Sequence, residues 1–381
     1  MTGGGSGGHI TPILAVANEL KRQQPGVKIV YIGQRGDALL DIPANDPNID
    51  EVHTIWAGKF RRYHGEGWKQ LLDIPTQARN VRDIFLILAG MVQSFWLLGK
   101  LQPKVIFTRG GFVSVPVAFG ASLRRIPYMT HDSDSIPSLA NRLIARRAYL
   151  HAVALPEELY PYPQAKTKMV GVPVGSGYEP VTPELLQQYR KELDLEEYKQ
   201  VLMVTGGGNG AALVNNVLLS NAAYLLQQCP ELAIVHFAGR SLQVAVEQGY
   251  QQALPAEDVK RVKVLGFSTD FYKYSGAADV IVARGGATNL AEFAIQRKAC
   301  VIIPAKQLVW AVKNTEALSA RQAVMALTEE QAEQERRLAT VLIELFKDNT
   351  KRQQLSDTLA TYARPNAAHD IAALLIEKAS A

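Results

Sequence analysis

Two glycine-rich turns, set about 200 residues apart, constrain this chain more than any other feature. The first, Gly3-Gly4-Gly5-Ser6-Gly7-Gly8-His9, runs into the apolar helical pattern of residues 12–20. Glycines 3, 5 and 8 fit G-x-G-x-x-G, a turn whose missing Cβ atoms let backbone N–H groups approach an oxyanion at a helix N-terminus. The second turn follows the strand-like Val201-Leu202-Met203-Val204-Thr205, reads Gly206-Gly207-Gly208-Asn209-Gly210-Ala211, and leads into a helical stretch from Leu213. A strand, glycine turn and helix in each half describes an α/β chain of two doubly wound halves facing each other.

At 381 residues, 47% of them hydrophobic, each half can bury a core of its own. Cys229 and Cys300 stand in apolar surroundings, which points to buried free thiols in a reducing compartment rather than a disulfide or metal framework. The glycine-rich start has neither the basic nor the apolar region of a signal peptide, so a cytoplasmic protein is expected. Charge is uneven: residues 1–150 hold 18 Lys/Arg against 11 Asp/Glu, whereas 151–381 hold 23 against 25. The basic half favours an anionic partner or surface. Nucleic acid is not the expected partner, because zinc-finger spacing, RNP-like aromatic motifs and long basic runs are all missing.

Only Met1 and Thr2 precede the first glycine, although such a turn normally follows a full central strand. Either the start is mis-assigned or the domain tolerates a missing core strand at a cost in buried apolar area. A strand at 28–32 ends on Gly33 and Gln34, where a dinucleotide fold would place an acid, and Asp37 comes late, which disfavours NAD. Residues 56–69 interleave Lys59, Arg61, Arg62, His64 and Lys69 with Trp56, Phe60, Tyr63 and Trp68. Between Asp83 and Lys100 lie 16 uncharged residues, short of a bilayer span. Positions 84, 88, 91, 95 and 98 make a core-facing stripe, and apolar residues spread well beyond it. Such a helix is either packed between two layers or docked at a membrane interface beside the basic segment.

A strand at 105–108 feeds Arg109-Gly110-Gly111-Phe112-Val113-Ser114-Val115-Pro116, and one at 128–130 ends in His131-Asp132-Ser133-Asp134. Ligands of open α/β sheets collect at strand C-termini, so both segments should border the same site as His9. Residues 141–149 read as a helix with a basic face, and 171–177 as the interdomain linker. The second half continues with strands at 201–205, 233–238, 262–266 and 279–283. The last opens onto Arg284-Gly285-Gly286-Ala287-Thr288-Asn289, with Glu292 one helical turn on. Helices at 328–346, 348–362 and 366–378 close the chain. The expected division is 1–174, 175–362, and a terminal helix at 363–381 packing back on the first domain.

Four ordered motifs resemble the MurG-type enzymes of glycosyltransferase family 28, over nearly the whole chain. Gly4-Gly5-Ser6-Gly7-Gly8-His9 stands where that family has GGTGGH, and Gly110 to Pro116 where it has GGYVSxP. Gly206 to Ala211 answers to GGSQGA, and Arg284 to Glu292 to RSGALTxxE. The resemblance implies a GT-B fold, two Rossmann-like domains facing an interdomain cleft. It also implies transfer of N-acetylglucosamine from UDP-GlcNAc to a muramyl peptide on a polyprenyl diphosphate, at the cytoplasmic face of an anionic membrane. No metal or cofactor is required in that picture: glycine-turn N–H groups and helix dipoles stabilise the departing diphosphate.

By motif matching, His9 is the base for the acceptor hydroxyl, kept neutral by its helix N-terminus. Ser6, Gly7, Gly8, Gly110, Gly111, Ser114, His131 and Asp134 border the acceptor. Gly207, Gly208, Asn209 and Gly210 lie against the donor phosphates with Gly286, Ala287 and Thr288, Phe267 lies near the uracil, and Glu292 accepts from the ribose hydroxyls. Some residues depart from the pattern. Gly175 replaces an Arg after the linker G-x-P, Gly208 a Ser, Asp132 and Asp134 a Glu and an Asn, and Ala311 and Val312 the Gln pair that reads the sugar. Lost polar readers shift specificity by orders of magnitude. Three other readings therefore stand beside the first: a relative using another UDP-hexose or lipid acceptor, a non-catalytic UDP-sugar-binding partner, and a same-fold UDP-sugar epimerase.

Overall fold

The computed structural model describes residues 1–3, 7–37, 39–59, 73–175, 177–208 and 210–381, without the side chains at 7–9 and 75. Ser6, Asn209 and the basic segment 60–69, together with the side chain of His9, therefore lie outside the described residues. The chain forms two units, Met1–Ser176 with Arg364–Ala381, and Gly177–Ala363.

In the first unit, β1 (Val30–Gln34) pairs in parallel with β2 (Glu51–Ile55). A four-stranded parallel sheet runs β3 (Ile106–Thr108), β4 (Tyr128–Asp132), β5 (Leu150–Val153), β6 (Thr167–Met169). Thr2 makes parallel bridges to both Ile32 and Thr108 and so stands between the two sheets. Its N–H donates to Phe107 and its carbonyl accepts from Arg109. Two residues thus hold the place of a central strand. Below them lies a cavity of about 400 Å³ whose lining includes Leu20, Ile29, Leu98, Val105, Phe107 and Leu375.

Helix α1 (Gly7–Gln23) follows the first glycine turn and buries Ile13, Val16, Ala17 and Leu20. The terminal helix Ala367–Ser380 packs on α1 through Ile371, Ala372 and Leu375. Residues 141–149 are not one helix: Leu139–Ile144 ends in a 3-10 turn, and Leu150 already belongs to β5.

Helix α2 (Ile74–Leu101) packs along α3 (Ser114–Leu123) and is oriented against the expected stripe. Its buried side carries Thr76, Asn80, Asp83, Ser94 and Leu98, while Ile84, Phe85, Leu88, Val92 and Trp96 are exposed, Trp96 at 69%. Close approach is the reason. A Cβ on Gly90 would run into the carbonyl oxygen of Trp56, and one on Gly120 would come within 3.0 Å of the backbone at Ser94 and Phe95. Small and polar residues occupy that side because larger ones do not fit. By length and composition α2 could cross a membrane, which the 16-residue uncharged run had not suggested. With its inner side packed on α3 and β2, only the outer side is available to lipid.

The second unit is one parallel sheet in the order β12-β11-β10-β7-β8-β9, with β7 (Gln200–Thr205), β8 (Leu232–Phe237), β9 (Val262–Leu265), β10 (Val280–Ala283), β11 (Ala299–Ile302) and β12 (Met325–Ala326). Strand order reverses between β7 and β10, the doubly wound pattern. Residues of β7 alternate between two cores. Leu202 and Val204 meet Val214, Leu218 and Leu225 of α4 (Ala212–Gln228), while Val201 and Met203 meet Phe293 of α5 (Ala287–Ile295) on the other face. Cys229 and Cys300 are buried free thiols in these cores.

The packing of α2 gives a direct test. Replacing Gly90 by Ala should destabilise the protein by about 1–3 kcal/mol through overpacking, whereas Ala at Gly26, which has open space around it, should be neutral within about 0.5 kcal/mol. Urea unfolding of the two variants measures both.

Candidate functional site

At the strand-order reversal of the second unit, two glycine turns leave neighbouring strands. After β7, Gly207 N–H donates to Thr205 Oγ1 at 3.1 Å and Gly210 N–H to the Gly207 carbonyl at 2.9 Å. Gly207 and Gly210 have φ of +86° and +76°, where side chains are strained. A Cβ on Gly210 would collide with the carbonyl oxygen of Ala238. Gly208 faces open space, so the Ser it replaces would fit and its loss is chemical rather than steric.

The Ala238 carbonyl is itself held. It accepts from Asn215 Nδ2 at 3.0 Å, Asn215 Oδ1 accepts from His236 Nε2 at 3.0 Å, and Tyr250 donates its hydroxyl proton to His236 Nδ1 at 2.9 Å. Burial pulls the His236 pKa down to about 4, so the ring is neutral and the sense of the chain is fixed. This buttress of the turn was not read from the sequence, where His236 is one polar residue in an apolar strand.

After β10, Gly285 has φ +76° and packs on Thr315 and Ile302. Gly286 faces open space at the N-terminus of α5, with Ala287 and Thr288 in the first turn. Such a terminus presents unpaired N–H groups and the positive end of the helix dipole. Arg284 is held in the structure, donating to Glu329 Oε1 at 2.8 Å and to the Ile303 carbonyl at 3.1 Å. Glu292 is buried on α5 and accepts from Asn289 Nδ2 at 3.0 Å. Burial raises its pKa to about 7, against the lowering effects of Tyr178 and Asn289. Phe267 is exposed with the Arg240 guanidinium stacked 4.1 Å from its ring centre. Ala311 is buried and offers only its carbonyl, which Thr315 Oγ1 occupies at 2.7 Å.

In the first unit, Gly110 and Gly111 have φ of +78° and +77°. Gly110 N–H donates to Thr108 Oγ1 at 3.1 Å, and Ser114 donates its hydroxyl proton to the Gly110 carbonyl. Ser114 is fully buried and fastens the turn rather than facing a ligand. His131, expected at the acceptor, is also fully buried. Its Nδ1 accepts from Arg109, and its Nε2 donates to the Gly171 carbonyl at 2.8 Å. Burial and the Arg109 charge hold its pKa well below normal, so it is a neutral strut for the arginine. Asp132 is buried too, accepting from Tyr162 at 2.7 Å and Asn141 at 2.9 Å. Asp134 is partly exposed, and its charge acts on Arg109. Arg109 also donates to Ser133 and is the residue that sequence reasoning passed over in this cluster. Its place beside two glycines at a strand end was the available signal.

Comparison with known proteins agrees with this architecture. The glycosyltransferase family 28 N-terminal domain matches residues 1–152, and the family's C-terminal domain matches residues 201–371. A UDP-N-acetylglucosamine--N-acetylmuramyl-(pentapeptide) pyrophosphoryl-undecaprenol N-acetylglucosamine transferase of Clostridium perfringens is 30% identical over 80% of this chain and 77% of its own length. One of the same description from Bacteroides fragilis is 27% identical over 100% of this chain and 95% of its own. Among solved structures, Acinetobacter baumannii MurG superposes with a TM-score of 0.72 at 24% identity, covering 99% of this chain and 98% of that one. A UDP-GlcNAc 2-epimerase from Neisseria meningitidis shares the fold at a TM-score of 0.64 and 10% identity, covering 97% of each chain. With two Rossmann-type parallel sheets of the GT-B kind and both domains matched, the chain belongs to glycosyltransferase family 28.

Proposed function

We propose that the chain transfers N-acetylglucosamine from UDP-GlcNAc to a muramyl peptide carried on a polyprenyl diphosphate, at the cytoplasmic face of an anionic membrane. The observation that carries this reading is the pair of glycine turns on the adjacent strands β7 and β10, with Glu292 one helical turn beyond the second. In a transferase of this kind the acceptor oxygen attacks the sugar carbon, the bond to the diphosphate breaks, and negative charge grows on UDP. Backbone N–H groups of Gly207, Gly208 and Gly210 and the N-terminus of α5 at Gly286, Ala287 and Thr288 would meet that charge. In sequence Asn209 stands between Gly208 and Gly210. Glu292 would accept from the ribose hydroxyls, and Phe267 would lie against the uracil.

His9, in the first turn of α1, would take the proton of the acceptor hydroxyl. Gly110, Gly111 and Arg109 would line the acceptor side of the first unit, with His131 and Ser114 holding them. A second reading, transfer from another UDP-hexose, draws on Ala311 and Val312, which cannot read sugar hydroxyls with their side chains.

Docking would use the outer side of α2. Ile84, Phe85, Leu88, Val92 and Trp96 continue onto the adjoining α3 with Phe119 and Leu123, and Leu143 lies on the helix packed beside α3. So large an apolar surface is uncommon on a soluble monomer. Arg142, Arg146 and Arg147 flank Leu143, and Lys59, Arg61, Arg62 and Lys69 would add about 1 kcal/mol each near anionic headgroups.

Three outcomes are expected. With UDP-GlcNAc and a short-chain lipid-linked acceptor, His9→Ala should lower turnover by roughly 10²–10⁴-fold while UDP binding stays within a few-fold. Near-normal turnover would remove His9 as the base. Glu292→Ala should weaken UDP binding by about 1–3 kcal/mol in calorimetry, and an unchanged dissociation constant would take the donor site away from α5. Vesicle co-sedimentation should rise with anionic lipid, fall with salt, and drop when Phe85 and Trp96 become Ser with UDP binding intact. Binding that ignored lipid charge and survived both replacements would refute the docking surface.

A further inference from the structure

The diphosphate of UDP-GlcNAc is dianionic, and the groups assigned to it above are neutral N–H donors and a helix terminus. Gly208 adds a backbone N–H and no hydroxyl. A cation beside the β7 turn would favour holding that charge. The basic residues just beyond the C-terminal ends of this sheet's strands are Arg240 after β8, Arg284 after β10 and Lys306 after β11. Arg284 is paired with Glu329 at 2.8 Å, and Lys306 Nζ with Glu330 at 3.0 Å. Among the described residues Arg240 has no carboxylate partner; it is exposed, and its guanidinium lies over the Phe267 ring, 4.1 Å from the centre.

The backbone that carries Arg240 is fixed on both sides. Gly239 has φ +93°, and its carbonyl accepts from the N–H groups of Leu242 and Gln243, each at 3.0 Å, as the chain turns into the helix Gln243–Ala253. Toward β7, a Cβ on Gly210 would come within 3.1 Å of Gly239 Cα; toward β9, one on Gly266 would come within 3.1 Å of Arg240 Cα. Because β8 lies between β7 and β9, Arg240 stands between the glycine turn and Phe267. Stacking on the ring holds the guanidinium by its face and leaves its in-plane N–H donors at the edge, where arginine meets phosphate oxygens.

We propose that Arg240 is a further donor-site residue: with its guanidinium held on Phe267, it pairs with the diphosphate of the uridine nucleotide that the β7 glycine turn receives. This rests on the donor-site reading given above and adds a charged group, outside the glycine motifs, to a site otherwise built of backbone donors. Arginine meets a phosphate through parallel N–H groups, so it fixes the direction of the oxygens as well as offsetting their charge. It also separates nucleotide from nucleoside, since the gain is made only when the phosphates are present. The stack makes an exposed arginine suitable for this, because a side chain already held in place loses less freedom when the ligand binds.

The test is titration calorimetry of the full chain, Arg240→Gln and Arg240→Lys, with UDP-GlcNAc and UDP added directly and uridine measured by competition against UDP. Arg240 is exposed, so neither replacement disturbs the core. Arg240→Gln should weaken UDP-GlcNAc and UDP by about tenfold or more, the size of a lost hydrogen bond to a charged group, and leave uridine within about twofold. Affinity of the parent for UDP should fall with added salt, and the fall should be shallower in Arg240→Gln. Arg240→Lys, which keeps the charge but not the planar fork, should recover part of the affinity and the salt dependence of the parent. An equal loss for uridine and UDP would mean that the arginine serves the base or merely supports Phe267, and would overturn the assignment. So would UDP affinity and salt dependence left unchanged by Arg240→Gln. If the parent binds neither UDP nor UDP-GlcNAc, the donor-site reading itself fails, and the role of Arg240 fails with it.

Discussion

Gly210 approaches the Ala238 carbonyl so closely that no side chain fits there, and the geometry of the proposed phosphate turn depends on that contact. The carbonyl cannot retreat, because Asn215 donates to it and is held through His236 by Tyr250. Every polar atom in this run has a partner, and the histidine is neutral, so the network costs little to bury and is stiff. It ties α4 and β8 to the helix carrying Tyr250, and through them fixes the turn that begins α4. The left-handed glycines are thus one end of a rigid assembly. Preorganised N–H groups are useful to a leaving diphosphate only if they do not have to move toward it.

What could be read from the sequence follows from this. A turn that needs φ near +80° at Gly207, Gly210, Gly110 and Gly285 writes itself as glycine, so the turns were visible before any contact was known. The alternation of β7 between two cores was visible for a similar reason, since period two is a property of the strand alone. The buttress was not, because Asn215, His236 and Tyr250 are single polar residues on three elements, and only their packing makes them a unit. The burial of His131 was not legible either, because strand ends carry both ligand-facing and buried side chains, and sequence does not say which way each residue points.

Helix α2 shows a different limit. Apolar residues spread well beyond one stripe of it, so periodicity does not choose the buried face, and the choice was made by bulk: Gly90, Ser94 and Gly120 allow close packing where Phe85 and Trp96 would not. The consequence is a surface that water solvates poorly, and burying it elsewhere would be favourable at about 25 cal/mol per Å². In the first unit this exposure coincides with the more basic part of the chain, so apolar and electrostatic attraction to an anionic bilayer would act together.

The central claim is that sugar leaves UDP for a lipid-linked acceptor. Mass spectrometry of a short-chain polyprenyl-diphosphate muramyl peptide after incubation with the chain and a panel of UDP-sugars tests it most directly. The account predicts that the acceptor gains one N-acetylhexosamine from UDP-GlcNAc, with UDP released in equal amount and only when acceptor is present. An unmodified acceptor, with UDP-GlcNAc either left intact or converted to its epimer, would contradict it.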